Sequence, residues 1–158
     1  MKLFIRRNIS TEKTAFDVFN EQGYEKYHII LKMKKNFTGF EIISVAGDVM
    51  CKVRKMQIGN MITYSIKDNS RRVRFVCVPL TAEIKCQFYG VNWHISGDAF
   101  SKNFGIIDVD NSVVATHKKV ISDCELNVFD KANELISVAI CICINLINTV
   151  DNRATQAV

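Results

Sequence analysis

The residues able to do chemistry in this 158-residue chain do not have the spacing of a catalytic or metal site. His28, His94 and His117 lie far apart, and none has a cysteine or histidine at zinc-ligand spacing. The six cysteines contain no CxxC pair and have apolar neighbours, which is typical of reduced, buried thiols. They are Cys51, Cys77, Cys86, Cys124, Cys141 and Cys143.

Other sequence patterns of enzymes are also missing. The chain has no nucleophile elbow, no phosphate-binding loop and no dinucleotide fingerprint. Cys51 or Cys124 beside a histidine in space would form a nucleophile, but nothing in the sequence selects such a pair. Acidic residues such as Asp108, Asp110 and Asp123 lie in turn-like segments, where they form local hydrogen bonds. We therefore expect no enzymatic activity, no catalytic residue, no metal ligand and no cofactor.

Basic residues offer a different chemistry, because 21 Lys and Arg against 16 Asp and Glu give a formal charge of +5. They gather where predicted strands end. In an up-and-down barrel, equivalent positions of repeated hairpins share one rim, so these charges would form a cationic collar. The candidate anion-binding residues are Arg6, Arg7, Lys34, Lys35, Arg54, Lys55, Lys118 and Lys119. The alternative is that they only protect turns and strand edges. Arg71, Arg72 and Arg74 follow the opposite type of turn and are expected elsewhere.

The elements that would position these residues repeat along the chain. An aromatic residue, a polar residue, a β-branched residue and a turn recur every 24 residues, starting at Phe16, Phe40 and Tyr64 (16 to 40 to 64). A second extended run follows each copy, so the repeated unit is a β-hairpin. Evenly spaced hairpins predict an antiparallel meander that closes into a barrel. Residues 84–88 and 91–95 predict a further hairpin, with Trp93 in the core and His94 exposed.

The uncharged segment 135–150 allows three interpretations. It is shorter than the roughly 20 apolar residues of a transmembrane helix, so no transmembrane segment is expected. Its alternating isoleucines favour a strand, but such a strand would span about 40–50 Å. A helix explains the polar residues best, since they fall on one narrow stripe. That stripe consists of Glu134, Ser137, Cys141, Asn145 and Asn148.

We therefore predict a central hydrophobic helix at about 131–149, with Asp130 as its N-cap. A helix that is apolar on nearly all sides must be surrounded by protein. The domain prediction is a single barrel domain over residues 1–150 and a polar tail over 151–158.

Several of these features resemble the LURP-one-related family of the tubby C-terminal-like superfamily, which includes the phospholipid scramblases. They are the opening MKLFIRRN, the repeated F-x-I-x-D-x-x-G hairpins, the segment WHISGD at 93–98, Lys118-Lys119 and the apolar final helix. The resemblance covers the chain from Met1 to about Asn148 and implies a twelve-stranded barrel around a central helix. Tubby proteins bind phosphoinositides at membranes, but no head-group residue is carried over. The copy at Tyr64 departs from the pattern, since it lacks the glycine.

Composition and charge limit the classes of function that the chain can have. With 48% hydrophobic and 23% charged residues, the composition is typical neither of a disordered chain nor of a membrane protein. The N-terminal apolar stretch, residues 3–5, is too short for a signal peptide, so we expect a cytoplasmic protein that can sit peripherally at a membrane. We predict a non-catalytic module that binds anionic lipid head groups or another polyanion through the collar. The alternative is a structural or protein-interaction domain. Nucleic acid is not expected, since aromatics are not interleaved with the basic residues.

Overall fold

The computed structural model describes residues 1–10, 14–35 and 37–156, and within these ranges the side chains up to residue 147. It consists of antiparallel β-strands followed by a short 3₁₀ turn and one C-terminal helix, α1. The strands are β1 (Lys2–Arg7), β2 (Thr14–Asn20), β3 (Glu25–Lys34), β4 (Phe37–Ser44), β5 (Val49–Ile58), β6 (Met61–Lys67), β7 (Arg72–Pro79), β8 (Ile84–Tyr89), β9 (Trp93–Asp98), β10 (Asn103–Asp108), β11 (Val113–Val120) and β12 (Asp123–Val128).

The strands form one 12-stranded sheet in the order β8-β7-β6-β5-β4-β3-β2-β1-β12-β11-β10-β9. Most neighbours are consecutive in the chain, as hairpins require. The pairing of β1 with β12, in which Leu3 lies opposite Leu126, brings the two halves of the chain together. The predicted antiparallel barrel of about twelve strands is therefore confirmed, with a single seam between β8 and β9.

The seam corrects one prediction. Residues 84–95 were expected to pair as a hairpin, but β8 and β9 lie at opposite ends of the hydrogen-bonded strand order. Side-chain packing replaces backbone pairing there. The Phe88 ring meets the Trp93 ring edge-on, with centroids 6.2 Å apart, and stacks on Phe75 at 4.7 Å. Trp93 is buried and His94 is exposed, as their alternation predicted.

The C-terminal helix begins with a 3₁₀ turn at Lys131–Asn133, and α1 itself spans Glu134–Gln156. Asp130 is the N-cap, as predicted, and its side chain accepts a hydrogen bond from the Ala132 backbone N–H at 3.0 Å. The helix continues beyond the predicted end at 149. The sequence has no proline or glycine after position 105 to stop it, and these are the residues that most often end helices.

The core lies where α1 threads the barrel. Every helical side chain from Ile136 to Asn145 is buried. The strands contribute alternate residues, because successive side chains point to opposite faces of a sheet. The largest fully buried side chains are Tyr64, Phe40, Phe75, Leu3, Ile29, Ile42, Ile66, Ile106, Leu126, Ile136, Ile140 and Ile142. The central helix of the prediction is thus the middle of the core.

Glu134 and Asn145 of the polar stripe contact polar side chains of the barrel wall, whereas the buried Ser137 hydroxyl has no hydrogen-bond partner among the described residues. Buried Glu134 accepts a hydrogen bond from the Tyr27 hydroxyl and pairs with Lys26 Nζ at 2.9 Å. One helical turn below Asn145, the Cys141 carbonyl accepts a hydrogen bond from Asn145 Nδ2 at 2.7 Å. The contacts of Glu134 with the wall orient the helix, because rotating it would bury a carboxylate among aliphatic side chains.

Candidate anion-binding surface

The predicted basic residues all lie toward one end of the barrel. The helix enters at the lower end, where Glu134 meets Lys26 near the start of β3. It runs to the upper end, where the odd-numbered strands finish. Arg6 and Arg7 end β1, Lys34 ends β3, and the remaining candidates lie in the upper halves of β5 and β11 or in the turn after β3. The eight residues share an end, but they do not share a surface.

Two of the candidates on the outer wall are already paired with carboxylates. Arg6 donates two hydrogen bonds to Asp123, from Nε at 2.9 Å and from Nη2 at 3.1 Å. Asp123 thereby raises the pKa of Arg6. Lys118 Nζ lies 3.8 Å from Glu125. These charges are partly balanced within the protein.

Other candidates follow the inward-facing positions at the upper mouth. Lys119 lies opposite Cys124 in the register of β11 and β12, and Arg7 continues the alternation of Leu3 and Ile5. They are near Lys102, a residue that the sequence did not single out. Burial lowers the pKa of Lys102, and the positive charges of Lys119 and Arg7 lower it further. Lys55 of β5 is half-buried on the same inward side.

Arg54 belongs to a larger basic surface on the outer wall. It shares this wall with Lys52 of β5, Lys67 of β6, and Arg72 and Arg74 of β7, all exposed. We call these five residues the cationic face. They occupy alternate positions on three adjacent strands, and the strand register fixes their neighbours.

That register places like charges side by side. Lys67 lies directly opposite Lys52 on one side and Arg72 on the other. One step higher, Ser65 lies between Arg54 and Arg74. Opposite residues of an antiparallel pair have Cβ atoms roughly 5 Å apart, and like charges there are destabilising. A row of this kind is stabilised by an anion that binds across it.

The protein supplies little negative charge of its own to this surface. Among the described residues, the cationic face makes no ion pair. Glu41 is opposite Lys52, but its carboxylate lies 3.4 Å from Lys32. Asp68, in the turn below, accepts hydrogen bonds from the backbone N–H groups of Ser70 and Arg71.

A shallow groove runs across the cationic face. Its lining residues are Phe37, Lys52, Arg54, Ser65, Lys67 and Arg72. The Arg54 guanidinium lies over the Phe37 ring, 5.4 Å from its centroid, which limits the positions open to this long side chain. Guanidinium, ammonium and hydroxyl groups are the donors that bind phosphate in proteins. The groove therefore has the chemistry of a phosphate site.

The sequence carried a signal for this surface that the collar prediction missed. Lys52 and Arg54, and Arg72 and Arg74, are each two residues apart, so each pair points to one side of its strand. Lys67 precedes the turn into β7. Recognising the cationic face required the register of three strands, whereas the collar used only strand ends.

The interior holds one cluster with nucleophile-like chemistry. His117 Nδ1 donates to the Lys102 carbonyl oxygen at 2.8 Å, and Asn145 Nδ2 lies 3.4 Å from His117 Nε2. Burial lowers the pKa of His117 to about 4. Cys124 Sγ contacts Asn145 Oδ1 at 3.7 Å, and burial raises the pKa of its thiol. The Asn145 amide therefore lies between the Cys124 thiol and the His117 imidazole. Because the imidazole does not contact the thiol directly, it does not activate the thiol as a nucleophile.

The described residues contain neither a metal-binding cluster nor a helix that could span a membrane. No group of three or more His, Cys, Asp or Glu side chains there is arranged to hold a metal ion. All six cysteines are free thiols, four of them buried. Over the same part of the chain, no helix has the length and apolar character needed to span a membrane.

Comparison with known proteins gives one family and one relative. A family model described as LURP-one-related matches residues 1–145. The chain is 20% identical over 151 residues to the uncharacterized protein YxjI of Bacillus subtilis (strain 168), an alignment that covers 93% of each chain. No solved structure shows significant similarity.

Proposed function

The chain belongs to the LURP-one-related family, and we propose that it is a non-catalytic binding module that docks on anionic phospholipid through the cationic face. The observation that carries the proposal is the row of like charges Lys52, Lys67 and Arg72 across three paired strands. Such a row costs stability in the free protein and gains it when phosphate groups bind across it.

The extent of the surface favours a membrane over a single small anion. Strands lie about 4.8 Å apart, so the basic residues of three strands spread over roughly 10 Å. A planar array of head groups can contact all five residues at once. Each basic residue near an anionic membrane contributes about 1 kcal/mol. Five such residues support weak, salt-sensitive docking.

The absence of catalysis is part of the proposal. Burial raises the pKa of Cys51 to about 12 and holds those of Cys141 and Cys143 well above the usual value. Such thiols stay protonated at neutral pH and are poor nucleophiles. Free thiols also suit a reducing compartment, so we place the docked protein on the cytoplasmic side of a membrane.

Vesicle flotation tests the proposal with a charge-matched pair of variants. Lys52→Gln/Lys67→Gln/Arg72→Gln removes three charges from the cationic face, whereas Arg7→Gln/Lys118→Gln/Lys119→Gln removes three from β1 and β11, which lie far away in the strand order. At low salt, wild type should float with vesicles of phosphatidylcholine and phosphatidylserine. The face variant should bind about a hundredfold more weakly, and the matched variant should bind nearly as wild type does.

Either of two results would reject the proposal. In the first, wild type fails to float with anionic vesicles at low salt, which favours the alternative of a protein-interaction domain. In the second, the two triple variants lose binding equally, which means that net charge rather than the cationic face holds the protein on the membrane.

A further inference from the structure

The outer face of the β5–β6 hairpin changes from basic to apolar along its length. From the lower end upward, its opposed pairs are Lys52 with Lys67, then Arg54 with Ser65, Met56 with Thr63, and Ile58 with Met61. The side chains of these pairs share one face of the sheet. The upper half of the hairpin therefore continues the cationic face with apolar side chains.

These apolar side chains are exposed. Met56, Ile58 and Met61 are 59%, 69% and 41% exposed, and we call the three the apolar tip. The turn between the strands, Gly59-Asn60, is uncharged, and so is the whole segment from residue 56 to residue 66. Isolated exposed apolar residues are common on protein surfaces, but a cluster at the end of a charged surface indicates an interaction site.

The tip is built on a tight two-residue turn. The Ile58–Met61 pair closes the hairpin through two residues, and Gly59 has a φ of +61°. Glycine at the first position of a two-residue turn matches the twist of antiparallel strands. The Gln57 amide donates to the Gly59 carbonyl oxygen at 3.1 Å and occupies one polar group of the turn. Fewer backbone groups then have to lose water if the turn enters a membrane.

We infer that the apolar tip, Met56, Ile58 and Met61, inserts into the interfacial region of an anionic membrane while the cationic face contacts the head groups. The inference rests on the proposed function and adds an orientation to it. The charge pattern identifies an anionic membrane as the binding partner. The basic side chains lie directly behind the apolar tip, and an anionic membrane likewise presents negative head groups just outside its apolar layer.

The dimensions fit this arrangement. Ile58 lies four positions after Arg54, which corresponds to about 13 Å along a strand. Barrel strands are tilted by roughly 40° from the barrel axis, so the depth difference is about 10 Å when that axis lies along the membrane normal. Peripheral elements bury their apolar faces to a depth of about 5–10 Å. Ile58 therefore reaches the boundary of the acyl chains when Arg54 lies among the phosphates.

Depth-dependent tryptophan quenching tests the inference. Ile58→Trp places a probe at the tip, and Val109→Trp places one in the β10–β11 turn at the lower end, where Val109 is similarly exposed (71%). The chain has a single native tryptophan, Trp93, which is buried, so its emission can be subtracted. With vesicles of phosphatidylcholine and phosphatidylserine containing brominated acyl chains, the emission of the Ile58→Trp probe should shift to the blue and be quenched. The emission of the Val109→Trp probe should do neither.

A second variant measures the contribution of the tip to binding. Ile58→Ser/Met61→Ser should weaken partitioning into the same vesicles about tenfold to hundredfold, the expected loss for two partly buried apolar side chains. The part of binding that resists high salt should fall most, because salt screens only the charges. The circular dichroism of the variant should match that of wild type.

The failures of the two proposals are distinguishable. If wild type binds anionic vesicles but the probe at position 58 is neither shifted nor quenched, the inserted tip is rejected and docking by the cationic face remains. Equal quenching of the two probes would reject the stated orientation. If wild type does not bind the vesicles at all, the proposed function fails, and the inserted tip fails with it.

Discussion

At the scale of single residues, His117 shows how burial fixes a protonation state. The ring stacks on Phe104, with centroids 4.7 Å apart, and its Nδ1 donates to the Lys102 carbonyl oxygen. The remaining nitrogen then accepts from the Asn145 amide. In the neutral imidazole both ring nitrogens thus have a hydrogen-bond partner. The neighbouring positive charge of Lys102 also disfavours adding a second proton to the ring. The folded protein therefore holds His117 uncharged.

This state makes folding stability depend on pH. The folded pKa of His117 is about 4, whereas an unfolded histidine has a pKa of about 6.5. Between these values the unfolded chain binds one more proton, so stability falls as the pH falls. From about pH 7.5 to about pH 5, urea unfolding should show a loss of about 2 kcal/mol from this residue.

The matched variant is His117→Gln, which keeps a side chain able to donate to the Lys102 carbonyl but removes the titration. It should be less stable than wild type at neutral pH. Between the two pH values the variant should lose about 2 kcal/mol less unfolding free energy than wild type loses. Identical pH profiles for the two proteins would contradict a neutral, buried His117.

At the scale of elements, we expect the seam between β8 and β9 to be the least stable part of the ring. Each of these strands has a hydrogen-bonded neighbour on one side only, and the rings of Phe88 and Trp93 close the other side. Phe88→Ala removes that closure and should cost about 3 kcal/mol in unfolding free energy. Native-state hydrogen exchange should then accelerate first in β8 and β9.

Phe40→Ala provides the control, because Phe40 is fully buried on the continuous side of the barrel. It should destabilise the protein by a similar amount without singling out β8 and β9. If those two strands exchange as slowly as β4 and β5 in the Phe88 variant, the seam is not a local point of opening.

The elements themselves were largely predictable. Period-two alternation located the strands, and the stripe from Glu134 to Asn145 identified the helix, because both patterns arise from local geometry. The position of Trp93 followed from the same rule. The 84–95 hairpin was wrongly predicted because alternation identifies a strand but not its partner. Where a barrel closes, the partner depends on how the last strands meet, and no short segment encodes that.

At the scale of the whole molecule, the candidate surface was harder to predict than the barrel. The collar used the rule that hairpin ends share a rim, and the eight residues do lie toward one end. Arg6, however, pairs with Asp123 of β12, which is 117 residues away in sequence, and Lys118 pairs with Glu125 across the β11–β12 hairpin. The cationic face depends on the register of Lys52, Lys67 and Arg72. Charge balance and register are properties of the assembled sheet.

The whole molecule also depends on its last element for a core. Six large aliphatic side chains of α1 are buried, and burying each contributes about 1.5–3 kcal/mol, or about 9–18 kcal/mol in total before opposing terms. They are Ile136, Val138, Ile140, Ile142, Ile144 and Ile147. A domain is typically stable by only about 5–15 kcal/mol.

We therefore expect a chain ending at residue 130 not to fold, with no near-ultraviolet dichroism from Trp93 and no cooperative thermal transition. A chain ending at residue 150 keeps all six side chains and should retain both signals. A native-like spectrum from the shorter chain would mean that the ring of strands is stable without the helix, because the wall alone would then supply a sufficient core.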